Sequence, residues 1–148
     1  MRNLLIVCNP SRVDAVAAAV ELQQNLASTF GIYTISDVDI PGITKSSLAD
    51  LPQLEVAVVL GGDGTMLRAA EVAHARDIPL LGVNLGHVGF LSEVEHSKIS
   101  DVIDALLNRS YVIDPRITLG YTVERDGAVV DSGWALNEVT VEREKATM

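Results

Sequence analysis

Two five-residue runs, Leu4-Leu5-Ile6-Val7-Cys8 and Val56-Ala57-Val58-Val59-Leu60, are apolar at every position. A strand with one wet face alternates apolar and polar residues, so an unbroken run requires cover on both faces. Each run ends in a turn signal, Asn9-Pro10-Ser11 after the first and Gly61-Gly62 after the second. Helical periodicity follows both. Val13, Val16, Ala17 and Val20 mark a helix over about 12–30, with Gly31 as its stop, and Met66, Ala69, Ala70 and Ala73 mark one from about Thr65 to Arg76. Ile32–Ile35 and Leu80–Asn84 read as further strands. A last amphipathic helix carries Ile99, Val102, Ile103, Leu106 and Leu107, with Ser97 as its N-cap. Ser36–Gln53 has little periodicity and predicts a long loop holding at most one short helix. Strands that alternate with helices in this way predict an α/β fold, an open and mainly parallel sheet with helices on both faces.

The pattern changes after Asp114-Pro115. Ile117, Leu119, Tyr121 and Val123 alternate with period two, Asp126-Gly127 is a hairpin turn signal, and Leu136–Arg143 reads as another strand. The expected division is an α/β domain over 1–114 and the beginning of an antiparallel β domain over 115–148. Some thirty residues are too few for a second core, so the β part is expected to be truncated or to pair with something further.

Composition narrows the functional classes. Hydrophobic residues make up 48% of the chain and aromatics only 4%, so the core is aliphatic. A net charge of −9 argues against a long nucleic acid partner, which needs a basic surface. A small anion remains open, because backbone N–H groups and a few local cations hold phosphates on an acidic protein. Cys8 is the only cysteine, so neither an internal disulfide nor a CxxC zinc pattern exists. No stretch has the apolar length of a membrane span, and the N-terminus reads as a first strand rather than a signal peptide. The expected location is the cytoplasm, away from membranes.

The segment Gly61-Gly62-Asp63-Gly64-Thr65 carries the chemistry. It is no Walker loop, and Leu67 stands where a dinucleotide fingerprint has its third glycine. As a phosphate loop it still makes physical sense. Glycines let backbone approach a ligand, and the helix that follows offers N–H groups and a positive dipole end. Arg68, one turn on, is in reach of an anion. The dipole favours the charged form of Asp63, which suits accepting a hydroxyl hydrogen bond or holding Mg²⁺. The competing reading is a strand-to-helix turn capped by Asp63, with Arg68 a solvated helix residue. Phe90, in the loop Gly86-His87-Val88-Gly89-Phe90-Leu91, is open to either ligand stacking or core packing. Asn137-Glu138 is a polar pair in an apolar β segment. Adjacent strand residues point to opposite faces, so only an irregularity, signalled by Gly133 and Trp134, lets both meet one ligand. The three histidines show no metal-ligand spacing, and no metal-ligating residue is assigned.

Taken in order, GGDGT after one buried strand, NLGHVGFLSE after the next and LNEV in a later β segment resemble the NAD kinase family. GGDGT is shared with the related lipid kinases and phosphofructokinases, while the second loop with the later Asn-Glu is more specific. The resemblance implies phosphoryl transfer from ATP, or in some bacterial members polyphosphate, to the 2′-hydroxyl of the adenosine ribose of NAD, with Mg²⁺ or another divalent metal. It implies Asp63 as proton acceptor. It implies Gly64, Arg68, Phe90, Asn137 and Glu138 as NAD-binding residues, and a homo-oligomer in the full-length form. Members of the family continue into a larger C-terminal β domain, so this chain is not expected to complete its site alone. The alternatives are a lipid kinase of the same superfamily, for which the acidic chain offers no basic membrane patch, and a non-catalytic nucleotide-binding fragment.

Overall fold

A computed structural model describes residues 1–85, 94–95 and 99–144. Contacts divide the chain into two units, Met1–Ile113 and Asp114–Met148.

The first unit is built on two central strands, β1 (Arg2–Cys8) and β4 (Val56–Leu60), paired in parallel from Leu4↔Val56 to Cys8↔Leu60. Their apolar runs are buried on both faces, as the absence of alternation requires. From β1 the chain passes through helix α1 (Val13–Leu26) to β2 (Phe30–Thr34) and a two-residue strand β3 (Thr44–Lys45). It then returns to the centre as β4 and leaves the other way, through α2 (Asp63–Arg76), β5 (Leu80–Asn84) and β6 (Val94–Glu95), before α3 (Ile99–Asn108). The order across the sheet is β3-β2-β1-β4-β5-β6, and every neighbouring pair is parallel. Leu4, Ile6 and Cys8 pack with α1 and α3 on one face, while Leu5 and Val7 pack with α2 on the other. The doubly wound architecture predicted from the alternation is therefore present. Strand order reverses between β1 and β4, and in such sheets ligands bind in the crevice outside the carboxyl ends at that reversal.

The local differences have physical causes. Gly31 does not stop α1. The helix ends at Leu26, and Phe30 and Gly31 pair with Arg2 and Asn3 at the start of β2. A Cβ at Gly31 would lie 2.7 Å from Asn3 Oδ1, so close side-chain approach accounts for this glycine. Segment 36–53 contains no helix. It is pinned by Ser46 N–H to Thr34 O (2.9 Å), by Asn3 Nδ2 to Gln53 O (2.9 Å) and by the Arg76 guanidinium, which donates to the carbonyls of Leu48, Leu51 and Pro52. Helix α2 begins at Asp63, two residues before the expected Thr65, with Gly62 as N-cap. Asp63 is thus the first helical residue and not the cap. The expected cap Ser97 lies outside the described residues.

At the amino edge of the sheet, Arg2 clamps Glu55 with two bonds, Nε to Oε2 at 2.7 Å and Nη2 to Oε1 at 2.5 Å. The same guanidinium donates to the carbonyl of Leu106 at the end of α3 and stacks 4.2 Å above the Phe30 ring. Tyr111 and Arg109 also donate to Glu55. Mainly because of the Arg2 bonds, the Glu55 carboxyl is pushed down to about 2.

The second unit is a hairpin of β7 (Leu119–Arg125) and β8 (Ala128–Ala135). Asp126 (φ 52°) and Gly127 (φ 79°) both adopt left-handed backbone, the geometry of the tight hairpin turn that Asp-Gly favours. The pairing shifts between Val123↔Asp131 and Glu124↔Val129, which leaves Val130 as a bulge. The irregularity is therefore at Val130, whereas Gly133 and Trp134 pair regularly with Tyr121 and Gly120. Leu136–Arg143 is not a strand. The ladder closes at Leu119↔Ala135, and among the described residues nothing continues β7 for the later residues to pair with.

Candidate functional site

Parallel pairing of Cys8 with Leu60 brings the two strand exits side by side at the reversal of strand order. A cleft of about 400 Å³ opens there, walled by Asn9, Pro10 and Arg12 after β1 and by Gly62, Gly64, Thr65 and Arg68 after β4. Cys8 closes its base, and burial pushes that thiol's pKa up, which keeps it neutral.

The glycines differ in what they do. A Cβ at Gly61 would sit 2.6 Å from Thr65 Oγ1, so Gly61 is required by the fold itself. At Gly62 and Gly64 an added Cβ would meet nothing within 4 Å. Gly62 has φ −97°, which any residue adopts. Among the described residues neither packing nor backbone conformation explains these two glycines, and their effect is to leave bare backbone along the cleft. Among the described residues no side chain caps the N-terminus of α2, so its first-turn donors and the dipole's positive end meet the same space. An anion is the ligand that such a surface favours.

Two arginines add charge. Arg68 stands one turn into α2 and is exposed. Arg12, at the N-cap of α1, holds Asp14 through Nε to Oδ1 (3.1 Å) and Nη2 to Oδ2 (2.7 Å), and donates to the Leu85 carbonyl just past β5. The Arg12 guanidinium holds the Asp14 carboxyl below its usual range. Among the described residues, a chain of net charge −9 thus places two guanidinium groups in the walls of this cleft, one of them paired with Asp14.

The structure brings Gly62, Gly64, Thr65 and Arg68 together on one wall. Asp63, half-buried between the two glycines, contributes no part of that wall. Phe90 lies outside the described residues. Asn137 and Glu138 are in the second unit, in the bend just after β8, where they are not bound to strand alternation. Sequence reasoning missed Asn9, Pro10 and Arg12, reading Asn9-Pro10 only as a strand break. Their position in the turn just past a central strand was the available signal. Among the described residues no group of three or more His, Cys, Asp or Glu side chains gathers into a metal site.

Residues 52–111 match the family model described as the ATP-NAD kinase N-terminal domain. NAD kinase 2 of Streptomyces coelicolor is 36% identical over 97% of this chain and 50% of its own length. The NAD kinase of Corynebacterium jeikeium is 50% identical over 60% of this chain and 27% of its own. Among solved structures, yeast NADH kinase complexed with NADH superposes with a TM-score of 0.75 at 21% identity, covering 93% of this chain and 47% of that one. The chain spans about half the length of the curated relatives it matches end to end. Fold and cleft define a doubly wound α/β domain with a glycine-rich turn at its switch point. The chain belongs to the NAD kinase family, of which it carries the N-terminal portion.

Proposed function

We propose that this chain carries the phosphate-handling part of an NAD kinase, which transfers a phosphoryl group from ATP or inorganic polyphosphate to the 2′-hydroxyl of the adenosine ribose of NAD, forming NADP. The observation that carries the reading is the bare backbone of Gly62 and Gly64 at the uncapped start of α2, flanked by Arg12 and Arg68. The donor's phosphates lie on this wall. Asp63 stands off it, and the acceptor hydroxyl approaches from that flank. The 2′-oxygen bonds to the terminal phosphorus, the bridging P–O bond to the donor's leaving phosphate breaks, and Asp63 accepts the hydroxyl proton. Phosphoryl transfer of this kind depends on positioning and charge stabilisation more than on a strong base.

Mg²⁺ neutralises phosphate charge when bound. Asp63, beside the glycine turn, is the carboxylate that would meet such an ion. Asn137, Glu138 and Phe90 are assigned to NAD on the family resemblance. A cytoplasmic homo-oligomer is the expected working form, and among the described residues no helix is long and apolar enough to cross a membrane.

The test is NADP formation from NAD, Mg²⁺ and either donor, by the protein at the length of its relatives. Asp63→Asn is expected to lower kcat by about a hundredfold or more with the circular dichroism spectrum unchanged. Undiminished turnover in that variant removes Asp63 from the reaction.

A further inference from the structure

Arg12 joins parts of the chain that the sheet alone leaves apart. Strand β4 lies between β1 and β5, so the exits of β1 and β5 are two strand spacings apart, about 10 Å. Arg12, just past β1, closes that gap. Its Nη2 donates to the carbonyl of Leu85, the residue after β5. The bond passes the end of β4, where the glycine turn begins.

The same guanidinium is gripped from another side. Nε and Nη2 donate to the two oxygens of Asp14, in the first turn of α1, at 3.1 and 2.7 Å. The Arg12 side chain is only 20% exposed, whereas Arg68 across the cleft is exposed. The turn that carries Arg12 is fixed as well. Asn9 Oδ1 accepts from the Ser11 N–H (3.1 Å) and from Ser11 Oγ (2.7 Å). The Asn9 N–H donates to the Leu60 carbonyl (3.3 Å), and the Arg12 N–H donates to the Asn9 carbonyl (3.1 Å). The wall formed by Asn9, Pro10 and Arg12 is thus bonded to the end of β4 and to the residue after β5.

We infer that Arg12 is a positioning residue for phosphoryl transfer: clamped by Asp14 and bonded to Leu85, it sets the gap between the turn after β1 and the glycine turn after β4. The inference rests on the phosphate reading of the glycine turn and adds a division of labour within it.

The two roles open to a cleft arginine make opposite demands. Drawing in phosphate needs positive charge, which a lysine also supplies and which the Asp14 carboxylate weakens. Holding a carboxylate and a carbonyl together needs a rigid fork of donors, which lysine lacks. The bonds to Asp14 and Leu85 are of the second kind. Rate is sensitive to such a clamp, since a misplacement of about 1 Å can cost on the order of a hundredfold.

Steady-state NADP formation from Mg-ATP and NAD, by the protein at the length of its relatives, tests the inference in two variants. Arg12→Lys keeps the charge and removes the fork. Asp14→Asn removes the clamp and leaves the cleft more positive. Both are expected to lower kcat by about tenfold or more, with the KM for Mg-ATP within about threefold of wild type. If one variant loses helical circular dichroism the other decides, with Asp14→Ser in reserve. A change confined to KM, in either direction, overturns the inference: Arg12 then binds phosphate through its charge, and the phosphate reading stands. A fall in kcat in Arg12→Lys alone also overturns it, since the clamp then contributes nothing. Unchanged kinetics with only a lowered melting temperature overturns it too, and makes the clamp a purely structural bond. A wild-type protein that forms no NADP and binds no tripolyphosphate removes the phosphate reading, and the inference with it.

Discussion

At the scale of residues, the turn after β4 separates a glycine that the fold requires from two that it does not. Gly61 belongs to the fold. Gly61→Ala places its Cβ 2.6 Å from Thr65 Oγ1 and is expected to cost about 1–3 kcal/mol in a denaturant titration. Gly64 lies inside the first turn of α2 with open space above it. Gly64→Ala should therefore raise stability by roughly 0.5–1 kcal/mol, the helix preference for alanine over glycine, while weakening tripolyphosphate binding. A variant that is more stable and binds the anion as well as wild type would show that the bare backbone has no ligand role. Gly62, Gly64 and Arg68 were legible in the sequence because they are near neighbours along one turn and one helix. Asn9 and Arg12 were not. They reach the same cleft only because Cys8 pairs with Leu60, a contact between distant parts of the chain that local pattern does not encode.

At the scale of elements, the strands that could be read were those buried on both faces, since a continuous apolar run has few other uses. Ends were harder to place. Gly31 looks like a helix stop and is a strand residue, because pairing with Asn3 outweighs its local preference. The stretch after Ala135 looks like a strand and is none, because strand structure needs a neighbour and β7 has ended. The Arg2–Glu55 clamp was invisible in sequence for the same reason, joining the starts of β1 and β4 to the end of α3. It has a measurable signature. The folded Glu55 carboxyl titrates near 2, below its ordinary 4.5. Its stabilisation is therefore complete above about pH 4.5 and disappears as pH falls toward about 2. Both side chains are less than one-fifth exposed, and the contribution is on the order of 2 kcal/mol. Glu55→Gln should lose about that much stability at neutral pH and flatten the stability profile across this acid window. A variant profile parallel to wild type would mean that another carboxylate sets the acid limb.

At the scale of the whole molecule, the two units are expected to differ in local stability. The apolar runs of the central strands of the first unit are buried, whereas Leu119, Val123, Val129 and Val130 of the hairpin are all more than 40% exposed. Two strands without a covered face are marginal on their own. Hydrogen exchange should find the β7–β8 amides opening faster than those of β1 and β4 by roughly two orders of magnitude or more. Equal protection would show that the hairpin is covered in solution. The overall acidity was legible in composition, but the gathering of two arginines in one cleft was not. Arg12 and Arg68 meet at the switch point only after the sheet has formed.

That meeting is the basis of the functional account, and amide NMR of the labelled chain during titration with Mg-ATP tests it most directly. The account predicts saturable shifts at Gly62, Gly64 and Thr65 together with Asn9 and Arg12, on both sides of the reversal between β1 and β4. Saturation with those amides unmoved, or with shifts confined to other parts of the chain, would contradict it.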